Sequence, residues 1–210
     1  MKYTSILWDF NGTLFDDAVA SLNATHILLE RQGLPTLPDV DALRRHFGFP
    51  VKDYYAGLGF DFETQSYETL AVEWAALYED ECRHCGASPD TLDTVTKLNK
   101  LGFKQTIISA CEHKMLVSRL RELGLDGIFE DVCGMGDVNA HSKVGTALAW
   151  REQHPEASAL MIGDTPHDSE VAAAIGADCI MYSGGFVSRE RLERLGNPVI
   201  DELCRVSDFV

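Results

Sequence analysis

A doubly wound α/β fold on a parallel sheet, interrupted by one inserted helical module, is what this sequence predicts. Three observations carry the prediction. From residue 87 onward, short β-prone runs alternate with helical stretches of about ten residues, the pattern of parallel strands joined by crossover helices. Between residues 16 and 86 the alternation stops and helical periodicity alone remains. Polar residues able to do chemistry fall where strands stop, the edge at which open α/β sheets bind ligands. The expected division is a core of residues 1–15 and 87–210, with residues 16–86 as the helical insertion.

Bulk properties bound the function. The 210 residues suffice for one sizeable core and a small second module. With 45% apolar residues the chain is globular in composition. Lys and Arg number 18 against 33 Asp and Glu, a net charge of −15. That balance argues against nucleic acid and anionic membranes as partners and is compatible with a divalent-cation site. No run reaches transmembrane length, and Met1-Lys2-Tyr3-Thr4-Ser5 opens no apolar signal region, so a cytoplasmic location with reduced cysteines is expected. Cys82 and Cys85 form a lone CxxC, and a zinc or redox role would require further ligands or a βαβ setting.

Taken in order, Tyr3 to Trp8 is a β-prone run ended by Asp9 and a turn at Gly12. A helix is expected over Asp17–Arg31, with Val19, Leu22, His26 and Leu29 on its apolar row and Asp16 and Asp17 able to cap it. Short helices follow over Asp39–His46 and through Tyr54 and Tyr55. A longer helix is expected over Asp61–Cys82. Its stripe of Tyr67, Leu70, Ala71, Trp74, Leu77 and Tyr78 reads as core, and Glu68, Glu73 and Glu79 point away. Gly86-Ala87-Ser88-Pro89 is a linker. Helices are then expected over Asp90–Leu101, His113–Leu123, Ser142–Gln153, Pro166–Ile175 and Ser188–Leu195. Strands are expected over Lys104–Ser109, Ile128–Val132, Ala159–Gly163, Asp178–Tyr182 and near Pro198–Ile200.

The strand ends supply a carboxylate (Asp9), a hydroxyl (Ser109) and an acidic pair (Asp164 and Asp168), and a lysine (Lys143) starts the helix before the Asp164 strand. Asp9-Phe10-Asn11-Gly12-Thr13, Ser109, Lys143 and Gly163-Asp164-Thr165-Pro166-His167-Asp168 stand in the order and spacing of four motifs. On these the chain resembles the haloacid dehalogenase superfamily of phosphohydrolases. The helical insertion sits where that family carries a small α-helical cap on its Rossmann-like core. Gly48-Phe49-Pro50-Val51-Lys52-Asp53-Tyr54-Tyr55 and Gly184-Gly185-Phe186 look most like the phosphoglycolate-phosphatase-like branch.

The resemblance implies Mg²⁺-dependent hydrolysis of a small phosphorylated metabolite. Asp9 would be the nucleophile, forming an aspartyl-phosphate. Asp9, the backbone carbonyl of Asn11, Asp164 and Asp168 would hold Mg²⁺, which favours octahedral oxygen donors. Lys143 would contribute its point charge. Ser109 Oγ and the N–H groups of Phe10 to Gly12 and Ala110 would donate to phosphoryl oxygens. Gly12 and Thr13 therefore count among the expected substrate-binding residues.

Asn11 departs from the pattern, which has an Asp there to protonate the leaving oxygen and then deprotonate the hydrolytic water. An amide can orient water but cannot cycle a proton near neutral pH. The substrate then has a good leaving group, such as an acyl or aryl phosphate, or His46, His113 or a water substitutes, or the protein is a catalytically weak phospho-ligand binder. Relatives that cleave C–halogen or C–P bonds also lack this Asp. The metal pair Asp164 and Asp168 weakens the dehalogenase reading, and for C–P cleavage the nearest Schiff-base lysine, Lys52, reads more simply as solvent-facing. Arg44, Arg45 and His46 form the compact basic cluster of the insertion, either binding a substrate anion, with Arg45 the substrate-binding candidate, or lying on the surface.

Overall fold

The computed structural model describes residues 2–136 and 142–210. Six parallel strands form one sheet: β1 (Ser5–Trp8), β2 (Lys104–Glu112), β3 (Asp131–Met135), β4 (Ala159–Gly163), β5 (Asp178–Tyr182) and β6 (Val199–Ile200), in the order β3-β2-β1-β4-β5-β6. The order reverses at β1, between β2 and β4, which is where a doubly wound sheet opens a ligand crevice at its carboxyl edge. β1 is buried throughout, so its Ile, Leu and Trp side chains pack on both faces. On one face Ile6 and Trp8 pack with Leu98, Ile107, Leu116 and Leu120. On the other, Leu7 packs with Ile108, Trp150, Met161 and Val171. The Trp8 indole N–H donates to Gln105 Oε1 at 3.0 Å, and Gln105 in turn donates to the Val95 carbonyl, so the buried polar groups between β1 and β2 are satisfied.

Between β1 and β2 lie α1 (Ala18–Arg31), α2 (Val40–His46), α3 (Val51–Gly57) and α4 (Tyr67–Glu81). α1, α3 and α4 share an apolar cluster of Leu28, Leu29, Tyr54, Tyr55 and Leu70 with Phe60, and α2 packs Ala42 and Leu43 with Leu22 and Phe186. The remaining helices, α5 (Thr91–Lys100), α6 (His113–Glu122), α7 (Lys143–Gln153), α8 (Pro166–Ala174) and α9 (Arg189–Glu193), flank the sheet. Among the described residues no helix is long and apolar enough to cross a membrane.

Four local expectations change. α4 starts at Tyr67, not Asp61. Asp61 closes a turn by accepting from Glu63 N–H, and Ser66 is the residue whose Oγ caps the helix by accepting from Thr69 N–H. β3 starts at Asp131 because Ile128 and Phe129 pack against the core, and register begins with Asp131 opposite Thr106. β2 runs three residues past Ser109, with a register irregularity between Ile108 and Glu112. On α1 the buried row is Ala18, Leu22, Thr25 and Leu29, while Val19 is exposed and His26 half-buried.

Candidate active site

Asp9 follows β1 and Asp164 follows β4, neighbours in the sheet, so two carboxylates stand side by side at the carboxyl edge. α8 then begins with Pro166 at its first turn. Asp168 folds back, accepting from Thr165 N–H at 2.9 Å and Thr165 Oγ1–H at 2.8 Å as a capping box. Lys143 opens α7, whose start is capped by Ser142 Oγ accepting from Gly145 N–H. The Lys143 ammonium lies 2.5 Å from Asp9 Oδ1 and also pairs with Asp168 Oδ1. Carboxylate oxygens of Asp9, Asp164 and Asp168 lie within 4.8 Å of one another, and all three residues are buried. Three buried carboxylates against one ammonium form a hard, oxygen-rich donor set, the chemistry that suits Mg²⁺.

The backbone around the trio leaves no spare room. Gly12 has φ +74°, and a Cβ there would collide with the Asp164 carboxylate. At Gly185 a Cβ would strike the same carboxylate. Asp164 accepts from Thr13 Oγ1–H at 3.1 Å and from Phe186 N–H at 2.7 Å. Burial, and then the charge of Asp168, push the Asp9 carboxyl up to about 6 despite Lys143. Burial and the charges of Asp9 and Asp168 raise Asp164 well above the ordinary range. Burial opposes the charge on Lys143, but Asp168 and Asp9 outweigh it and hold the ammonium firmly protonated.

Asn11 is held by residues outside the expected set. Its amide donates to Asp17 Oδ2 and to Tyr78 Oη, both at 2.8 Å. Tyr78 Oη–H donates to the same Asp17 oxygen, and Gly12 N–H donates to Asp17 Oδ1 at 2.7 Å. Asp17 thus ties the β1 turn to α4 instead of capping α1 with its side chain. Burial raises Asp17 to about 6, moderated by the hydrogen bonds of Tyr78, Asn11 and Gly12. The Asp16-Asp17 pair was visible in the sequence, but nothing there linked it to a tyrosine 61 residues on.

A cavity of about 810 Å³ opens above Asp9. Asp9, Phe10, Asn11, Ser109, Ala110 and Lys143 line its floor. Ser109 Oγ accepts from Cys111 N–H at 3.0 Å, which leaves its hydroxyl proton to donate. Tyr67, Ala71, Trp74 and Tyr78 of α4 line the opposite wall. The aromatic stripe expected to be core is therefore divided: Leu70 is buried, whereas these four face the cavity. Glu79 also faces it, 3.6 Å from Arg119, and does not point away.

Other expected residues lie elsewhere. Gly12 N–H is taken by Asp17 and the Phe15 carbonyl, so it has no bond left for a phosphoryl oxygen. Thr13 is fully buried and orients Asp164. Arg45 is exposed, 3.8 Å from Asp39, and does not line the cavity. Arg44 binds the core, donating to the carbonyls of Gly184 at 2.6 Å and Gly185 at 2.9 Å. His46 and His113 are not among the residues that line the cavity, and Lys52 lies over the Phe62 ring. The Cys82 and Cys85 thiols are both raised by burial, Cys82 to about 12, and neither joins a metal-ligand cluster among the described residues.

Fold and site together define a class: doubly wound α/β proteins that gather carboxylates and a lysine where the central strands end. Residues 6–182 match the family model described as haloacid dehalogenase-like hydrolase, and the chain belongs to that family. It is 24% identical over 209 residues to the tyrosine-protein kinase PtkA of Mycobacterium tuberculosis, covering 97% of this chain and 70% of that protein. It is 25% identical over 204 residues to the phosphoglycolate phosphatase of Caulobacter vibrioides, covering 93% and 85%. A haloacid dehalogenase-like hydrolase family protein from Streptococcus pneumoniae superposes with a TM-score of 0.84 at 20% identity, over 99% of this chain and 98% of that one, a likeness of fold.

Proposed function

We propose that this protein is a Mg²⁺-dependent phosphomonoester hydrolase acting on a small phosphorylated metabolite, with Asp9 as nucleophile and residues 16–86 as its cap. The observation that carries this is the buried grouping of Asp9, Lys143, Asp164 and Asp168 beneath an open cavity. Its similarity to proteins named phosphoglycolate phosphatase supports the same reaction class. Asp9, Asp164, Asp168 and the Asn11 backbone carbonyl would hold Mg²⁺, and the bound ion would neutralise phosphoryl charge that otherwise repels a carboxylate.

Asp9 attacks phosphorus through one carboxylate oxygen, and the ester oxygen departs with its electron pair. Water then displaces Asp9 from the aspartyl-phosphate and releases inorganic phosphate. Lys143 holds the Asp9 carboxylate in place and balances charge as it transfers. Ser109 Oγ–H and the Ala110 N–H are the candidate donors to phosphoryl oxygens. Asn11 donates both amide hydrogens away from this centre, so it supplies no proton to the leaving oxygen.

That commitment of Asn11 favours a second reading, a phospho-ligand-binding regulatory protein with little turnover. The two separate on a panel of aryl, acyl and sugar phosphates assayed with Mg²⁺, alongside the Asp9→Asn variant. Turnover lost in the variant, with an acid-trapped phosphate adduct on Asp9 in the native protein, is the expected result. Binding without turnover on any member supports the regulatory reading, and full activity of Asp9→Asn overturns the covalent mechanism.

A further inference from the structure

The cavity above Asp9 has a floor built for phosphate and walls built for something else. Phe47, Phe49, Tyr55, Tyr67, Trp74 and Tyr78 all face it, with Trp74 and Tyr78 stacked at 4.7 Å between ring centroids. Among the described lining residues, the Lys143 and Arg119 cations are already committed. Lys143 belongs to Asp9 and Asp168. Arg119 is held by Glu122 at 2.8 Å and by Glu79 at 3.6 Å, with its guanidinium over the Phe15 ring. His167 lies tilted against the Phe49 ring, 5.3 Å between centroids, and its ring nitrogen bonds Glu170. Glu79, Glu112 and Glu122 line the same cavity, so among the described lining residues acidic charge predominates away from the floor. A substrate with a distal carboxylate or second phosphate would meet repulsion there, whereas an aromatic ring would meet stacking partners.

Asn11 points the same way from the chemical side. Among the described residues that hold Asn11 no proton donor stands in its place, because Tyr78 Oη–H is itself given to Asp17. A leaving group that departs as a stable anion needs none. A phenol loses its proton near pH 10, as Tyr does, against about 16 for water and simple alcohols.

We propose that the substrate is a small aryl phosphate with an uncharged or cationic ring system, its ring against the aromatic wall and its phosphoryl group over Asp9. The proposal rests on the phosphatase reading above and narrows it. In the first step the bond from Asp9 to phosphorus forms and the P–O(aryl) bond breaks. The aryloxide leaves with the electron pair and takes its proton from solvent. Water then releases phosphate from Asp9 and gives its proton to solvent.

The test compares phenyl phosphate, benzyl phosphate, acetyl phosphate and 2-phosphoglycolate on the full chain with Mg²⁺. Phenyl and benzyl phosphate are alike in size and ring but differ in leaving group, and acetyl phosphate has a good leaving group but no ring. Phenyl phosphate should exceed benzyl phosphate in kcat/KM by about 100-fold, within the range attributed to general acid catalysis. It should show a KM about tenfold below that of acetyl phosphate, the scale of one apolar contact in a pocket. Ala75→Trp, which fills the cavity from α4, should reduce kcat/KM for phenyl phosphate about tenfold more than for acetyl phosphate. Preference for 2-phosphoglycolate, or equal KM for phenyl and acetyl phosphate, overturns the aryl assignment while leaving the phosphatase reading intact. No turnover of any compound and no adduct on Asp9 overturns both.

Discussion

At the scale of single residues, Asn11 and Asp17 make one unit. Replacing Asn11 by Asp sets a second carboxylate against the Asp17 oxygen that now accepts the amide at 2.8 Å. A half-buried carboxylate in contact with the buried Asp17 retains a proton between the two above the ordinary range. The Asn11→Asp side chain should therefore be protonated near neutral pH and able to donate to a leaving oxygen. The kcat/KM for benzyl phosphate is expected to rise at least about 100-fold, with little change in that of phenyl phosphate. The same variant should lose stability as pH climbs and the shared proton departs, which urea melts at pH 6 and 8 will register. An unchanged benzyl rate would mean that another group already supplies the proton. The substitution itself was legible in the sequence, because Asp9-Phe10-Asn11-Gly12-Thr13 differs from its family pattern at that one position. Its partners were not, because the bond from Tyr78 to Asp17 depends on how α4 lies across the β1 turn, and no local spacing encodes that.

At the scale of elements, the α2 helix is fastened to the loop after β5. Arg44 donates to the Gly184 and Gly185 carbonyls, and its own carbonyl accepts from Ser188 N–H and from Arg191 Nη1–H. That loop also delivers Phe186 N–H to Asp164, so the last turn of the helix and the carboxylate trio share a support. Arg44→Met should cost about 1.5–3 kcal/mol, the worth of hydrogen bonds from a charged group, and weaken Mg²⁺ binding as well. Arg45→Met, one residue on and exposed, should stay within about 0.5 kcal/mol of the native protein. Equal losses in urea titrations of the two variants would refute this division of roles. The sequence presented Arg44, Arg45 and His46 as one basic cluster, because composition cannot tell which face of a two-turn helix meets the core. Elsewhere period and turn chemistry sufficed: β4 and β5 lie where the apolar runs Ala159–Gly163 and Asp178–Tyr182 were expected. They failed at β3, where Ile128 and Phe129 are as β-prone as the strand but serve as packing, and at α4, where Asp61 and Ser66 competed to start the helix.

At the scale of the whole molecule, a net charge of −15 surrounds a centre that itself holds three buried carboxylates and one ammonium. Without a metal ion to add to that ammonium, the centre opposes folding once its acids ionise. Asp9 and Asp17 each stand at about 6 in the fold against an ordinary value of 3.8, and Asp164 is raised further in the same direction. An acid whose pKa is raised by folding contributes its stability fully below the unfolded value and loses it as pH rises through the folded one. The metal-free protein should therefore weaken between about pH 4 and 7. Mg²⁺ requires the ionised carboxylates, so its binding competes with their protons and should restore what Asp9 and Asp164 lose. Asp17, which faces Asn11 and Tyr78 and not the trio, should keep its own dependence. The rise in Tm on adding Mg²⁺ is expected to be small at pH 5 and several degrees at pH 7.5, since ligand at about 100 times Kd contributes about 2.7 kcal/mol. Asp164→Asn should abolish that difference between the two pH values. A Mg²⁺-induced shift of equal size at pH 5 and pH 7.5 would show that the ion binds somewhere other than this cluster.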